Sequence, residues 1–449
     1  MTLEAPSRPP GHRAHPLLVR RMDPQETTVV RPASRPVRIA ILGINYWPEP
    51  TGIAPYTTAL AAGMMARGHA VRVFTGLPHY PQWERPGRGA ALRSHDVVDG
   101  VRVRRLNHVV PSGESWFGRV AMELTFGAQV STCRWDAPDV IVCTTPPLLA
   151  TSMAIARARW TRRRPAIGVL VHDLYGRGAT EAQIGCRTLR RGLGAIESAT
   201  LRAADGVAVI HSGFGSDLVD NLGVDPARIR EIRNWNHVDA PDLTASATFR
   251  AARGWSNDDV IVLHAGNMGH KQGLENVLAA ADLAGRTGSR ARFVLMGDGN
   301  QRSSLEAAGA GLRNLEFLPP VGEADFPAAL GAADVLLVNE RPGVAQMSVP
   351  SKLTSYFRSG KPVLAAIDSA GLTAGEMAAS GGGVSVPADR PDLLLREALR
   401  LAADPVLAER LGARGRRYCE SVLSEKAALD RYEQWITDLA DGRREDLDG

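Results

Sequence analysis

The sequence predicts an α/β protein made of two doubly wound parallel-sheet domains in tandem. Short runs of β-branched and other apolar residues alternate with helical patterns, and this alternation implies parallel strands covered by helices on both faces. The alternation comes in two series, separated by a polar, mixed stretch at 238–257. The length, 449 residues, is more than one ordinary core accommodates.

Residues 1–36 hold seven prolines and six arginines with no apolar core like that of a signal peptide, and read as a disordered leader. The first strand is Val37-Arg-Ile-Ala-Ile-Leu42. A loop to Ile53 follows, containing Pro48, Pro50 and Gly52. Pro55 suits a first helical turn, where its missing N–H costs nothing. Tyr56, Ala59, Leu60 and Met64 form that helix's apolar stripe, and Gly68 is placed to end it. Further strands are read at 71–75, 101–104, 140–143, 167–171 and 207–210, which gives an N-terminal domain over 37–240. The second series lies at 260–263, 293–296, 315–318, 335–338, 362–365 and 384–386, which gives a C-terminal domain over 256–424. A last helix at 425–440 carries Leu429, Tyr432, Ile436 and Leu439 on one face.

A hydrophobic fraction of 44% with 22% charged residues is that of a soluble globular protein. The formal charge of +5 is small for this length. With no zinc-finger spacing and no stacking-aromatic motif, a nucleic-acid binder is disfavoured. Four cysteines without a CxxC pair argue against a disulfide scaffold and fit a reducing cytoplasm. No run approaches the roughly 20 apolar residues needed to span a bilayer.

The most informative stretch is His264-Ala-Gly-Asn-Met-Gly-His-Lys-Gln-Gly-Leu-Glu275, directly after the apolar run Val260–Leu263. A glycine-rich turn there delivers Lys271 to the start of a helix. Helix-start N–H groups carry partial positive charge, and glycines let backbone approach an anion closely. Gly266, Asn267, Gly269, Lys271 and Gln272 are therefore candidate phosphate contacts; the plain alternative is a strand-to-helix turn with a surface lysine. Gly297-Asp-Gly299 ends the next strand and suits a tight turn or close ligand approach. Asn339-Glu340 ends another strand, and Val349-Pro-Ser-Lys352 follows with Ser351 suited to a helix N-cap. Ser351 and Lys352 form a second set of anion donors, and Glu340 is a candidate partner for a ribose or sugar hydroxyl. In the first domain, Gly52 lies in a loop that admits a ligand. His172-Asp173 sits at the carboxyl end of a buried strand, where ligands of such sheets bind. Arg157, Arg159, Arg162, Arg163 and Arg164, together with the apolar segment 115–130, could form a surface for an anionic bilayer, or equally a solvated face and a buried helix.

Taken in order, the strand and loop at 38–53, Arg67-Gly-His-Ala-Val-Arg-Val-Phe-Thr75, Ile232-Arg-Asn-Trp235, the lysine loop Gly266–Gly273, Gly297-Asp-Gly299 and Gly360-Lys-Pro-Val363 resemble the retaining glycosyltransferases of family 4, most of all the bacterial exopolysaccharide and O-antigen branch. The resemblance spans roughly 37–440. It implies a GT-B fold, two Rossmann-like domains facing across a cleft, with no cofactor and no metal. It also implies a nucleoside-diphosphate sugar as donor, held mainly by the C-terminal domain, and a lipid-linked or growing glycan as acceptor. The last helix would cross back to the first domain. By motif, Lys271 matches the family's diphosphate-contacting lysine, His172 the histidine near the transferred sugar, and Gly52 the first-loop glycine; Lys271 and His172 are thus the candidate catalytic residues. The pair of glutamates that many members carry before Gly-Lys-Pro-Val is absent, its slots holding Met347 and Ser355. Asn267 is the residue nearest the place of a second loop cation, and His172-Asp-Leu-Tyr-Gly-Arg-Gly178 lacks the branch's Pro-Asp. Placement at the cytoplasmic face of the membrane is the corresponding expectation. The competing readings are a GT-B sugar epimerase, which needs acid/base carboxylates at the sugar, and a non-catalytic sugar-nucleotide binder. An NAD-dependent oxidoreductase is disfavoured because GxGxxG is missing.

Overall fold

The computed structural model describes residues 35–49, 52–80, 83, 91–111, 116–175, 187–343 and 351–448, without the side chains of 187–190 and 444–448. The expectations for the leader, for Pro50 and Thr51, for the segment 176–178 and for Met347, Val349 and Pro350 fall outside these residues.

The first lobe is built on β1 (Arg38–Leu42), β2 (Ala70–Gly76), β3 (Arg93–Val98), β4 (Val101–Leu106), β5 (Val140–Thr145), β6 (Ala166–Val171), β7 (Gly206–Val209) and β8 (Ile229–Glu231). They lie side by side in the order β3-β4-β2-β1-β5-β6-β7-β8. β5 and β6 are buried along their whole length, because helices cover both faces of the sheet. The second lobe holds β9 (Val260–Ala265), β10 (Ala291–Met296), β11 (Leu315–Leu318), β12 (Val335–Asn339), β13 (Val363–Ile367) and β14 (Gly383–Pro387). These pair in parallel in the order β11-β10-β9-β12-β13-β14.

Three elements depart from the sequence reading. β3 was not anticipated, and it pairs antiparallel with β4, so the first sheet is not purely parallel. Its Arg-Ser-His-Asp-Val-Val has no apolar run because it is an edge strand that stays largely in contact with water. The signal for it was the turn: Asp99 and Gly100 both have positive φ between Val98 and Val101, a two-residue hairpin. Second, the stretch 238–257 is not a bare linker. It contains the helix Leu243–Ala252, whose N-terminus is capped by Asp242, with Ala245 N donating to Oδ1 at 2.8 Å. Phe249 from this helix packs edge-on to Trp255, at 5.9 Å between ring centroids, in the second lobe's core. Third, the final helix runs to Asp448. Its Leu429, Tyr432, Trp435 and Ile436 pack with Ile39, Leu60 and Met64 of the first lobe. Room for the Trp435 ring exists because β6 and β7 carry Gly168 and Gly206 beneath it; a Cβ on Gly168 would lie 2.6 Å from the indole. Arg67 binds Asp430 at 2.8 Å and Glu433 at 3.1 Å, which fixes the helix from the side.

The lobes touch near the carboxyl ends of their strands. Gly213, just after β7, lies against Leu372, just after β13, so closely that a Cβ would meet the leucine at 2.2 Å. Arg233 reaches across to Glu376 at 2.6 Å and is also held by Glu231 at 3.2 Å.

Candidate functional site

In each sheet the parallel strands are laid down first to one side and then to the other, with the switch between β1 and β5 in the first lobe and between β9 and β12 in the second. Ligands of open α/β sheets bind in the crevice outside the carboxyl ends of the strands at this switch point, since the flanking loops diverge there. The candidate residues divide between these two crevices.

In the second lobe, β9 leads into the loop holding Gly266, Asn267 and Gly269, then into a single 3-10 turn, His270–Gln272. The following helix begins only at Glu275. Lys271 thus sits on the 3-10 turn rather than at the helix start, with its side chain exposed. Three of the loop's amides, those of Gly266, Met268 and Gly269, are engaged within the protein. Gly266 N donates to Met296 O at 2.8 Å, Met268 N to Asp298 O at 2.7 Å, and Gly269 N to Gln272 Oε1 at 3.0 Å. These donors are spent inside the protein, and so is the Gln272 side chain. Gly297 and Gly299 serve the same packing: a Cβ on Gly297 would sit 2.0 Å from Gly266 O, and one on Gly299 2.5 Å from Met268 O. Their close approach is to the neighbouring loop.

Asn339, at the end of β12 and 2% exposed, fastens the lysine loop from the other side of the switch point. Its Nδ2 donates to Gln272 O at 2.7 Å and to Gly273 O at 2.9 Å, and its Oδ1 accepts from Asn276 Nδ2 at 2.8 Å. Arg341 N adds a bond to Lys271 O at 2.9 Å.

Lys352 opens the helix Lys352–Ser359 and points back into the crevice. Its Nζ lies 3.0 Å from His264 Nε2 and 3.7 Å from where a Cβ of Gly266 would be. Burial pushes the Lys352 ammonium down to about 7, against the opposing charge of Glu340. Burial likewise raises the Glu340 carboxyl above its ordinary value, although Thr373 Oγ1 donates to it at 2.6 Å. Ser351 occupies the N-cap position with helical backbone angles, and its side chain makes no capping bond. The N-cap position is the one the sequence suggested, without the side-chain bond that usually goes with it. The second cation here is therefore Lys352, supplied by a different loop from the one that carries Lys271.

In the first lobe, Gly52 and His172 line a cavity of about 530 Å³ at the β1–β5 switch point. Its walls include Tyr80, Trp83 and Trp116 with the carboxylate of Glu123. None of the second-lobe candidates lines it. His172 is 8% exposed, and neither ring nitrogen has a hydrogen-bond partner. Burial pushes it down to about 4, so the ring is neutral. Glu49 fixes the cavity's rim, accepting from His79 N at 2.9 Å, Tyr80 N at 3.0 Å and Asn45 Nδ2 at 2.8 Å. Glu123 fixes its floor, accepting from Leu149 N at 2.7 Å and from the Tyr175 hydroxyl. Its burial raises the carboxyl above its ordinary value. Sequence reading found neither glutamate: Glu49 stands among prolines, and Glu123 is a lone acid in an apolar helix.

The basic run is mostly structural. Arg157 stacks on Trp135 at 3.9 Å, Arg159 donates to Ala203 O at 3.0 Å, and Arg164 pairs with Asp205 at 2.6 Å. Of the five arginines, Arg162 and Arg163 are exposed. Among the described residues no helix is long and apolar enough to cross a membrane.

Two Rossmann-like lobes, each with a crevice at its switch point, form the GT-B architecture. Solved GT-B structures bear this out. The chain superimposes with a TM-score of 0.66 on sucrose-phosphate synthase from Thermosynechococcus elongatus, at 17% identity over 90% of this chain and 100% of that one. It matches HepE of Anabaena, solved in complex with UDP, with a TM-score of 0.64 at 13% identity over 89% and 100%. Residues 51–235 match the Glycosyl transferase 4-like domain, and residues 259–404 match Glycosyl transferases group 1. The chain is 30% identical over 347 residues to WcaI of Escherichia coli (strain K12), named as a colanic acid biosynthesis glycosyl transferase, covering 72% of this chain and 82% of that protein. The chain belongs to this glycosyltransferase family, and it is a glycosyltransferase enzyme.

Proposed function

We propose that the enzyme moves a sugar from a nucleoside diphosphate onto a lipid-linked or growing glycan in cell-surface polysaccharide synthesis, with retention at the anomeric carbon and without a metal ion. The observation that carries this reading is the second-lobe crevice, where Lys271 and Lys352 come from opposite sides of the switch point. The reaction separates a diphosphate from a sugar, and its barrier falls where preorganised positive charge meets the developing negative charge. With the amides of Gly266, Met268 and Gly269 engaged elsewhere, the lysines supply most of that charge. His172 and the aromatic cavity of the first lobe suit an acceptor sugar: a neutral imidazole with unused nitrogens offers both a donor and an acceptor to hydroxyls. Trp83 and Trp116 suit the apolar faces of a sugar ring. Phe117, exposed beside that cavity, supports an acceptor carrying a lipid and contact with the cytoplasmic face of the membrane.

The first test is a thermal-shift screen against UDP-, GDP-, dTDP- and ADP-sugars, since a ligand of the folded state raises the melting temperature. With the donor in hand, Lys271→Ala is expected to lower turnover at least about a hundredfold, and a chelator is expected to leave turnover unchanged. Near-normal turnover by Lys271→Ala would refute the assignment of the diphosphate to this loop. The anomeric configuration of the product, read by NMR, decides retention against inversion.

A further inference from the structure

The second-lobe crevice contains a histidine that the motif reading passed over. His264 lies within β9 with no exposed surface, at a place where a parallel strand covered on both faces ordinarily carries an apolar residue. Burying an imidazole costs free energy unless its nitrogens are bonded. Its partners are unusual for a core residue. Nε2 is 3.0 Å and Nδ1 3.4 Å from Lys352 Nζ, Nε2 also lies 3.4 Å from Asn267 O, and the ring bonds to the Leu337 backbone as well. The histidine therefore links the strand under the lysine loop to the lysine that arrives from the opposite side. Gly266 lies beneath the ammonium, where the missing side chain leaves bare backbone.

We propose that His264 is a positioning residue for the donor's diphosphate: its ring holds the Lys352 ammonium over Gly266, and the His264–Lys352 pair takes up a proton from solvent when the diphosphate binds. This rests on the nucleotide-sugar reading above. The charge logic follows from the contacts. Two cations 3.0 Å apart in a buried place repel, so the pair carries at most one positive charge, and burial disfavours even that one. Burial pushes Lys352 down to about 7, and burial together with the Lys352 charge pushes His264 well below its ordinary value. Other groups face the pair from each neighbouring element. Glu340 at the end of β12 favours the charged lysine, and Asp368 after β13 acts on Glu340. Lys271 stands on the exposed 3-10 turn. Tyr356, on Lys352's own helix, bonds instead to the Ala265 backbone, whose N–H donates to its hydroxyl at 2.8 Å. The local carboxylate alone leaves the ammonium near neutrality. A diphosphate adds negative charge within reach of Nζ and restores the full ammonium, which then binds the anion in return.

The experiment is calorimetry of UDP, GDP, dTDP and ADP with the full chain at pH 8.5, in two buffers of different ionisation enthalpy. For the tightest ligand, the wild type is expected to take up about one proton per bound nucleotide, and Lys352→Met about none. His264→Leu is expected to weaken binding about tenfold or more, the loss of a charge-assisted hydrogen bond. His264→Gln, which keeps an acceptor, is expected to stay within about threefold, an outcome that a merely space-filling role would not give. Proton uptake near zero in the wild type, uptake unchanged in Lys352→Met, or wild-type affinity in His264→Leu would each overturn the proposal while leaving the donor reading intact. Should His264→Leu not fold, the Lys352→Met comparison decides alone. Failure of all four nucleotides to bind the wild type would overturn the donor reading and this proposal with it.

Discussion

Replacing Asn339 by leucine tests whether one buried amide holds the lysine loop in place. The side chain is nearly isosteric, so little packing volume changes. What is lost is a set of three hydrogen bonds, two to the carbonyls of Gln272 and Gly273 and one from Asn276. Each is worth about 1 kcal/mol net, and a buried partner left stranded costs about 1–3 kcal/mol. Asn276 is buried and its amide would lose this acceptor, so the central expectation is a loss of about 3 kcal/mol. The assay is urea unfolding of the full chain followed by circular dichroism, alongside calorimetry of the preferred nucleoside diphosphate. Both readouts should fall, because the carbonyls that Asn339 holds belong to the turn that carries Lys271. Removing Asn276 as well, as Asn276→Leu/Asn339→Leu, should cost about 1 kcal/mol less than the sum of the single changes, since neither end of their bond is then stranded. A single-variant loss under about 1 kcal/mol, or a normal diphosphate affinity in a protein destabilised as expected, would refute the view that this residue ties the site to the switch point.

Gly297→Ala places a Cβ 2.0 Å from Gly266 O at a φ of 143°. Backbone strain and overlap together should cost roughly 2–4 kcal/mol in urea unfolding and weaken diphosphate binding; a variant as stable as wild type would mean that the two loops do not touch as described. His172 gives a prediction in pH. Its folded value is about 4 against an ordinary 6.5, so as pH falls the unfolded chain binds the proton first. The stability from keeping this ring neutral is complete above about 6.5 and is lost as pH falls toward 4, by roughly 3 kcal/mol at most. His172→Gln should therefore flatten the fall in stability between pH 6.5 and 4; an identical slope in the variant would refute the neutral, unpaired ring.

The strands were legible because a strand buried on both faces must be apolar throughout, and runs such as Val140–Cys143 and Ile167–Val171 have no other reading at that length. β3 had no such run, because an edge strand keeps contact with water; only its Asp99-Gly100 turn marked it. The position of the site was legible, since polar residues at the ends of apolar runs mark the carboxyl edge of a parallel sheet. Its chemistry was only half legible. A glycine-rich turn looks alike whether its amides face a phosphate or a neighbouring loop, and only the fold revealed that Asp298 and Gln272 had each taken one of them. A lysine's partners are equally invisible when they lie on another strand, as His264 does for Lys352. Yet both His264 and Asn339 left a trace. Each is a polar residue inside or at the end of a run that burial would otherwise keep apolar, and a buried polar group is tolerated where something holds it. Asking what satisfies such a residue, rather than reading past it as part of a strand, points to the loop across the switch point, because that is where a side chain leaving the carboxyl end of a central strand can find a partner.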